Sequence, residues 1–281
     1  MPSQIVLSHY QAIQLTEAKG SESTVQISPD LGLSKIAVEL TDGDVTFSAD
    51  EKLSWDVVAE IAENENNCFI IDNGSATIVR AFSETFERVY TLFPTASAPT
   101  MLVSGIPMHR IKGIDPWRDS QSKIKTLGRI SGHILDTTTG LGYTAILAAE
   151  REARVTTVEL DPAAQIIARC NPWSRALFDN PKITQIIGDS NDEIETFADG
   201  FFNGIIHDPP MFSLAGELYS LAFYEQAYRV LKSRGRMFHY IGNPESKSGS
   251  RVTRGVVQRL KKAGFSRVVP QPDAFGVLAS K

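Results

Sequence analysis

The sequence predicts an α/β protein: a mostly parallel sheet covered by helices on both faces, preceded by a small β-rich domain. Three observations point there. After residue 119 short apolar strands alternate with amphipathic helices, the pattern of strands buried on both faces. The final stretch, "FSRVVPQPDAFGVLAS", reads as two strands around Pro270–Asp273, too close for a crossover and therefore antiparallel. Before residue 95 the pattern is instead one of short alternating bursts punctuated by Asp42-Gly43 and Asn73-Gly74.

Taken in order, "TVQISPDLGLSKIAVELTDGDVTFS" (24–48) reads as hairpins or a meander, and "LSWDVVAEIAENE" (53–65) as a helix capped by Ser54. "CFIIDNGSATIVRAFS" reads as two strands joined at Asn73-Gly74, so residues 1–95 form the small domain. "FPTASAPTMLVSGIPMHRIKGIDP", with prolines at 94, 99, 107 and 116, reads as a connection of little regular structure, which makes 96–118 a linker or lid. The large domain, 119–281, then runs strand "HILD", helix "YTAILAAERE", strand "RVTTVEL", helix "AAQIIARC" and strand "ITQIIGD". A short acidic helical segment follows, then strand "FFNGIIHDPP", helix "AFYEQAYRVLKS", strand "GRMFHYIG" and helix "TRGVVQRLKKAG".

At 281 residues, 42% hydrophobic and 22% charged, the chain has the composition of a soluble globular protein. No apolar run approaches the ~20 residues of a membrane span, and the start lacks a basic stretch followed by an apolar one. A cytoplasmic protein without a membrane partner is expected. Cys68 and Cys170 have no metal-ligand spacing and read as reduced, buried thiols; no His, Cys and Asp spacing supports a metal. The net charge of −5 hides an asymmetry: residues 1–100 carry 5 Lys and Arg against 15 Asp and Glu, residues 229–281 carry 12 against 2. Such ends pair with each other, within a chain or between subunits of a homo-oligomer, or the basic end faces the phosphates of a nucleic acid. A solvated helix face accounts for part of the charge, since Arg254, Gln258, Lys261 and Lys262 fall along one side of "VTRGVVQRLKKAG".

"ILDTTTGLGYTAI" (134–146) joins a strand to a helix through Gly140 and Gly142, at the strand end where doubly wound sheets bind ligands. Gly140-x-Gly142-x-x-Ala145 fits a dinucleotide pattern, and Glu159 follows at the position of a ribose-binding acid. Asp136 argues for a different ligand, because a carboxylate there repels a pyrophosphate and attracts an ammonium group. Asp136, Glu159 and Asp189 close three successive strands and suit an amine, a ribose and an adenine amino group without phosphate. That ligand is S-adenosyl-L-methionine. Each acid taken singly also reads as a helix cap, and Asp161 before Pro162 is read as one.

The run Asp136-x-x-x-Gly140-x-Gly142, the Glu159 acid, Gly188-Asp189 and Asp208-Pro209-Pro210 resemble the successive motifs of class I S-adenosylmethionine-dependent methyltransferases. The resemblance covers about 119–281 and implies a Rossmann-like sheet of seven strands with the last pair antiparallel. It implies donor contacts at Lys123, Asp136, Thr138, Gly140, Gly142, Tyr143, Thr144, Glu159, Leu160, Asp189 and Ser190. More narrowly, "MHRIKGIDPWRDSQSKIKTL", "NPWS" and "HDPPMFSLAGELYS" resemble an uncharacterised family of predicted archaeal and bacterial methyltransferases.

Asp208, Pro209, Pro210 and Phe212 form the expected catalytic group, similar to the Asp/Asn-Pro-Pro-aromatic motif of enzymes that methylate an amine-type nitrogen. Here Met211 occupies the aromatic position and Phe212 follows. The acceptor is therefore an unidentified amine-bearing molecule, a nucleic acid base or a small amine. The region also resembles spermidine synthases, which leaves aminopropyl transfer as an alternative, with non-catalytic binding of the donor as another. By strand alternation His207 points away from Asp208 and is expected to be a buried structural residue. Upstream, Lys123 or Arg110 is set against the donor's carboxylate or on a solvated surface. Asn171–Ser174 is expected to be a turn packing the Trp173 indole, with a place near the adenine as the alternative.

Overall fold

The computed structural model describes residues 4–128, 130–211, 215–243 and 247–281; Phe212 lies outside the described residues. The chain divides into two compact units, Met1–Trp117 with Ala163–Arg175, and Arg118–Pro162 with Ala176–Lys281.

The first unit opens with β1 (Ile5–Leu7) and α1 (His9–Ala18), a helix absent from the sequence reading. Ser8 and Gln11 close a capping box at its start, which gives the segment a helical origin despite its polar residues. The expected meander is β2 (Thr24–Ile27), β3 (Ile36–Leu40), β4 (Asp44–Ser48) and β5 (Glu51–Ser54), paired in that order. Ser54 caps α2 (Trp55–Glu63), its hydroxyl accepting from the Val57 N–H. β6 (Phe69–Asp72) and β7 (Ser75–Ile78) form the hairpin whose turn places Asn73 and Gly74 at positive φ. β8 (Arg80–Ser83) and β9 (Arg88–Phe93) are followed by β10 (Thr100–Val103) and β11 (Ile106–Pro107). These last two correct the irregular connection expected there, since β10 pairs antiparallel with β9 and β11 with β10. Ser104 and Gly105, both at positive φ, make the tight turn, and Pro107 sits on the edge strand where no N–H is needed. Leu7, Leu15, Val38, Leu53, Ile61 and Phe69 lie in the core of this unit.

The second half of the chain begins with α3 (Pro116–Leu127), whose proline stands at the first helical position. It continues through β12 (His133–Asp136), α4 (Tyr143–Glu150), β13 (Arg154–Glu159), α5 (Pro162–Cys170) and α6 (Arg175–Asp179). β14 (Ile183–Ile187), α7 (Ser190–Thr196), β15 (Phe202–His207), α8 (Leu221–Val230) and β16 (Leu231–Tyr240) follow. α9 (Lys247–Lys262), β17 (Arg267–Gln271) and β18 (Gly276–Ser280) end the chain. Among the described residues the strands from β12 onward form one seven-stranded sheet in the order β14-β13-β12-β15-β16-β18-β17. β12 to β16 pair parallel, and β18 lies antiparallel between β16 and β17. The fold is thus the Rossmann-like sheet with an antiparallel last pair, and strand order reverses between β12 and β15. In open sheets of this kind ligands bind at that reversal, beyond the carboxyl ends of the strands. Cys68 is buried, whereas Cys170 is partly exposed rather than buried as expected. Among the described residues no helix is long and apolar enough to cross a membrane.

Candidate active site

Asp136 ends β12 with no exposed surface. Its Oδ2 accepts hydrogen bonds from the hydroxyls of Thr157 at 2.9 Å and Thr144 at 3.2 Å. Its Oδ1 has no partner among the described residues. Burial pushes the carboxyl up to about 8, against the pull of the two hydroxyls. The three threonines that follow stitch the loop to the strands on either side. Thr137 N–H donates to the Ile206 carbonyl and Thr139 N–H to the Val158 carbonyl. Thr138 hydroxyl donates to the Asp208 carbonyl at 2.8 Å. The Gly140 N–H then donates to Glu159 Oε2 at 2.8 Å. Gly142 starts α4 with φ of 77°, and a Cβ there would stand 2.7 Å from Leu177 Cδ2. Backbone conformation and space both demand glycine at this point.

At the end of β13, Glu159 also accepts from the Asp161 N–H at 3.1 Å, and burial raises its carboxyl while these N–H groups oppose the shift. Beside it Leu160 is 43% exposed, an apolar side chain left open at a strand end. After β14, Asp189 caps α7, one oxygen accepting from the Asn191 N–H at 2.8 Å. Ser190 is buried and donates its hydroxyl to the Thr137 carbonyl. Tyr143 is buried at the start of α4.

Asp208 follows β15, across the strand reversal from Asp136, with 14% of its side chain exposed. Lys123 reaches it from α3, 2.6 Å from Oδ2 and 2.8 Å from Asp119, over the Tyr240 ring at 4.5 Å. Burial acts to lower the lysine's pKa, but the carboxylates of Asp208 and Asp119 outweigh it and hold the ammonium charged. The Asp208 carboxyl is itself raised by burial, with Lys123 opposing. Sequence reading set Lys123 or Arg110 against the donor's carboxylate or on a solvated surface; the Lys123 ammonium lies buried between Asp208 and Asp119. The turn after Asp208 is fixed by the Tyr219 hydroxyl, which donates to the Pro210 carbonyl at 3.0 Å. Met211 is 54% exposed.

His207 is fully buried, as strand alternation implies. One ring nitrogen lies 2.8 Å from the Leu218 carbonyl and the other 2.7 Å from the Thr137 hydroxyl. A carbonyl only accepts, so Nε2 carries the proton and Nδ1 accepts from Thr137. Burial pushes the ring down to about 3, and the histidine is a neutral tie between two loops.

Asp136, Thr138, Gly140, Thr144, Glu159, Ser190, Lys123 and Asp208 are therefore joined by bonds at adjoining strand ends. Sequence reading missed Thr157 and Tyr219. Thr157 was findable, because in a parallel pair begun at His133 and Arg154 it falls opposite Asp136. In the first unit, His109 Nδ1 lies 2.9 Å from the Thr100 hydroxyl. Trp173 forms the expected turn, its indole N–H donating to the Leu31 carbonyl at 3.1 Å and its ring 5.4 Å from Trp117.

Residues 118–264 match the family model described as methyltransferase small domain. The uncharacterized protein MJ1233 of Methanocaldococcus jannaschii is 42% identical over 231 residues, covering 82% of this chain and 78% of that one. Among solved structures, a spermidine synthase in complex with the transition-state analogue AdoDATO aligns with a TM-score of 0.60 at 18% identity, covering 74% of this chain and 77% of that chain. Spermidine synthase from Thermotoga maritima aligns at 0.57 and 18% identity, covering 74% and 76%. At that identity the two structures speak for the fold.

Proposed function

The chain belongs to the methyltransferase small domain family, with S-adenosyl-L-methionine as its cofactor, and from that premise we propose that it methylates an amine-type nitrogen received by Asp208. One observation carries the reading. The nearly buried Asp208 carboxylate stands across the strand reversal from the orphaned oxygen of Asp136. A carboxylate accepts hydrogen bonds and donates none, so it suits an acceptor bearing N–H groups.

The residues present fit the donor. A buried carboxylate oxygen without a partner calls for a cation, and Asp136 Oδ1 meets the donor's ammonium. The Glu159 oxygens accept backbone N–H groups, those of Gly140 and Asp161 among them, and keep lone pairs for the ribose hydroxyls. Leu160 offers an apolar surface and Asp189 an acceptor toward the adenine. When bound, the donor supplies an electrophilic methyl carbon whose attached positive charge is lost on transfer.

Asp208 does the rest of the chemistry by orienting the amine and taking its proton. Lys123 keeps Asp208 ionised in a buried place until that proton arrives, and Asp119 keeps Lys123 in place. Thr138 and Tyr219 hold the backbone of the turn, so the carboxylate is aimed in advance.

The test is to incubate the protein and a methyl-labelled donor with cellular nucleic acid, protein and metabolite fractions, and to locate the label by mass spectrometry. Label on nitrogen is expected, and label on oxygen or carbon removes the amine reading. With the acceptor in hand, Asp208→Asn is expected to slow transfer by about 10²–10⁴-fold while leaving donor binding nearly intact. Glu159→Ala is expected to weaken donor binding by about 1.5–3 kcal/mol, read by calorimetric titration. In a parallel incubation with the decarboxylated donor, transfer of an aminopropyl group is the outcome that supports the alternative.

A further inference from the structure

The inner face of α9 buries Val256 and Leu260, while Arg254, Gln258, Lys261 and Lys262 stand exposed at spacings of one helical turn on the outer face. At about 1.5 Å per residue the helix is about 24 Å long. It follows β16, so it starts at the carboxyl ends of the parallel strands, where Asp208 lies, and runs back toward their amino ends.

The basic line continues there. Arg267, exposed at the first position of β17, is level with Ser280, which is level with Arg236 of β16. Lys232 and Arg234 are exposed at the start of β16, and Arg154 at the start of β13. Arg234 sits at φ of 64°, a left-handed conformation that glycine or asparagine would adopt with less strain. The chain keeps a cation at a position where the backbone favours another residue. From Leu231 to the last residue 11 Lys and Arg stand against 2 Asp and Glu. Among the described residues none of Lys232, Arg234, Arg254, Lys261, Lys262 and Arg267 is ion-paired to a carboxylate, whereas Arg229 and Lys182 have carboxylate partners of their own.

An aromatic surface lies within this rim. Phe201 is 42% exposed just before β15, with its ring 4.8 Å from His133. Arg154 is level with His133 in the β12–β13 pair, and the Lys232 ammonium shares the Asn203 side-chain oxygen with the His133 N–H. Cations that track a backbone, interleaved with an exposed ring on which a base stacks, are the parts of a single-stranded nucleic-acid surface.

We propose that the outer face of α9 and the basic, Phe201-bearing rim at the amino end of the sheet bind the phosphodiester backbone of a single-stranded nucleic acid. An acidic protein surface would use the same cations but has no need of the exposed ring. The surface runs from that rim to the end of the sheet that carries Asp208, and it stands whether or not Asp208 receives a nucleobase.

The experiment measures fluorescence anisotropy of labelled oligouridine and oligothymidine with the full chain across a salt series. Neither base has an exocyclic amine, so binding is read apart from methyl transfer. Engagement of four to six phosphates is expected to give a slope of log affinity against log salt of about −3 to −4. The triple variant Arg254→Glu, Lys261→Glu, Lys262→Glu is expected to bind at least about ten-fold more weakly at ~50 mM salt, with the slope flatter by about 2. Phe201→Ser is expected to weaken binding about ten-fold without changing the slope. Oligouridine preferred over oligothymidine assigns RNA, and the reverse assigns DNA. Calorimetric titration with the donor confirms that each variant is folded, and loss of donor binding in the wild type would strike the methyl-transfer reading while leaving this one intact. No binding by the wild type at ~50 mM salt, or equal binding by the triple variant, overturns the proposal. A salt-reversible dimer that the triple variant abolishes, without oligonucleotide binding, also overturns it and gives this face to the acidic 1–100 segment of a second copy.

Discussion

Asp136 carries one oxygen bonded twice and one with no partner among the described residues, and this imbalance has a pH signature. Burial pushes its carboxyl up to about 8, well above the ordinary carboxylate range, so the donor-free protein holds a proton there at neutral pH. The folded state binds that proton more tightly than the unfolded chain does. The stability it contributes is fully present below about pH 4 and is lost as pH rises through about 8. An incoming ammonium needs the ionised form, so donor binding at pH 7 is expected to expel about one proton. The donor's own amine loses its charge near about 8, and affinity should therefore rise toward that pH and fall beyond it. Calorimetry in buffers of different ionisation enthalpy reads the expelled proton directly. Its absence, or its survival in Asp136→Asn, would mean that Asp136 does not meet the ammonium. Lys123 presents the complementary case. It is 1% exposed between two carboxylates, and Lys123→Met leaves two buried negative charges uncompensated. Urea denaturation is expected to show a loss of about 3–5 kcal/mol, partly restored by adding Asp119→Asn. A neutral result would mean that the two carboxyls need no buried cation between them, and the lysine would lose its part in favouring the ionised Asp208.

The start of α4 joins donor loop and sheet, and its tolerances are narrow. Gly142→Ala adds a methyl group against Leu177 in a left-handed backbone, at an expected cost of about 1–2 kcal/mol together with weaker donor binding. Adding Leu177→Ala removes the clash and leaves the conformational cost. If the double variant is no better than the single in donor affinity, crowding is not what glycine avoids. Turns of this kind were legible in the sequence because the glycines stand between a buried apolar run and a helical one, and the acids at the strand ends were legible with them. Other elements were hidden for physical reasons. α1 has few apolar residues and rests on a two-residue capping box. β10 and β11 lie among prolines that read as breakers, yet those prolines fall at strand ends and an edge. β16 begins at Leu231, inside the expected helix, because Leu231 pairs with Phe202 before a register shift that no local pattern announces. The Lys123–Asp208 pair spans 85 residues of chain, and only the topology brings it together.

At the scale of the whole molecule, the sheet alone does not choose between reactions, since one fold hosts several chemistries. The family match over 118–264 speaks for methyl transfer, while the spermidine synthase structures share only the architecture at 18% identity. The two donors differ in one group. Both carry an amine suited to Asp136, but only the methyl donor keeps the methionine carboxylate. That carboxylate enters a neighbourhood where Asp208 and Glu159 already act on Asp136, and where the Lys123 ammonium is held by two other carboxylates. Repulsion there must be offset by donors of another kind. The amino end of α4 is the candidate we propose: Gly142 gives it no side-chain cap, and helix dipole and backbone N–H groups at such an end favour an anion. S-adenosyl-L-methionine is therefore expected to bind about 10–100-fold more tightly than its decarboxylated form, the range of charge-assisted hydrogen bonds. Parallel calorimetric titrations with the two donors measure that ratio. Equal affinities would show that nothing in the chain receives the carboxylate. A preference for the decarboxylated donor would turn the likeness to spermidine synthases from one of architecture into one of reaction, with Asp208 receiving the same amine but a different group attached to it.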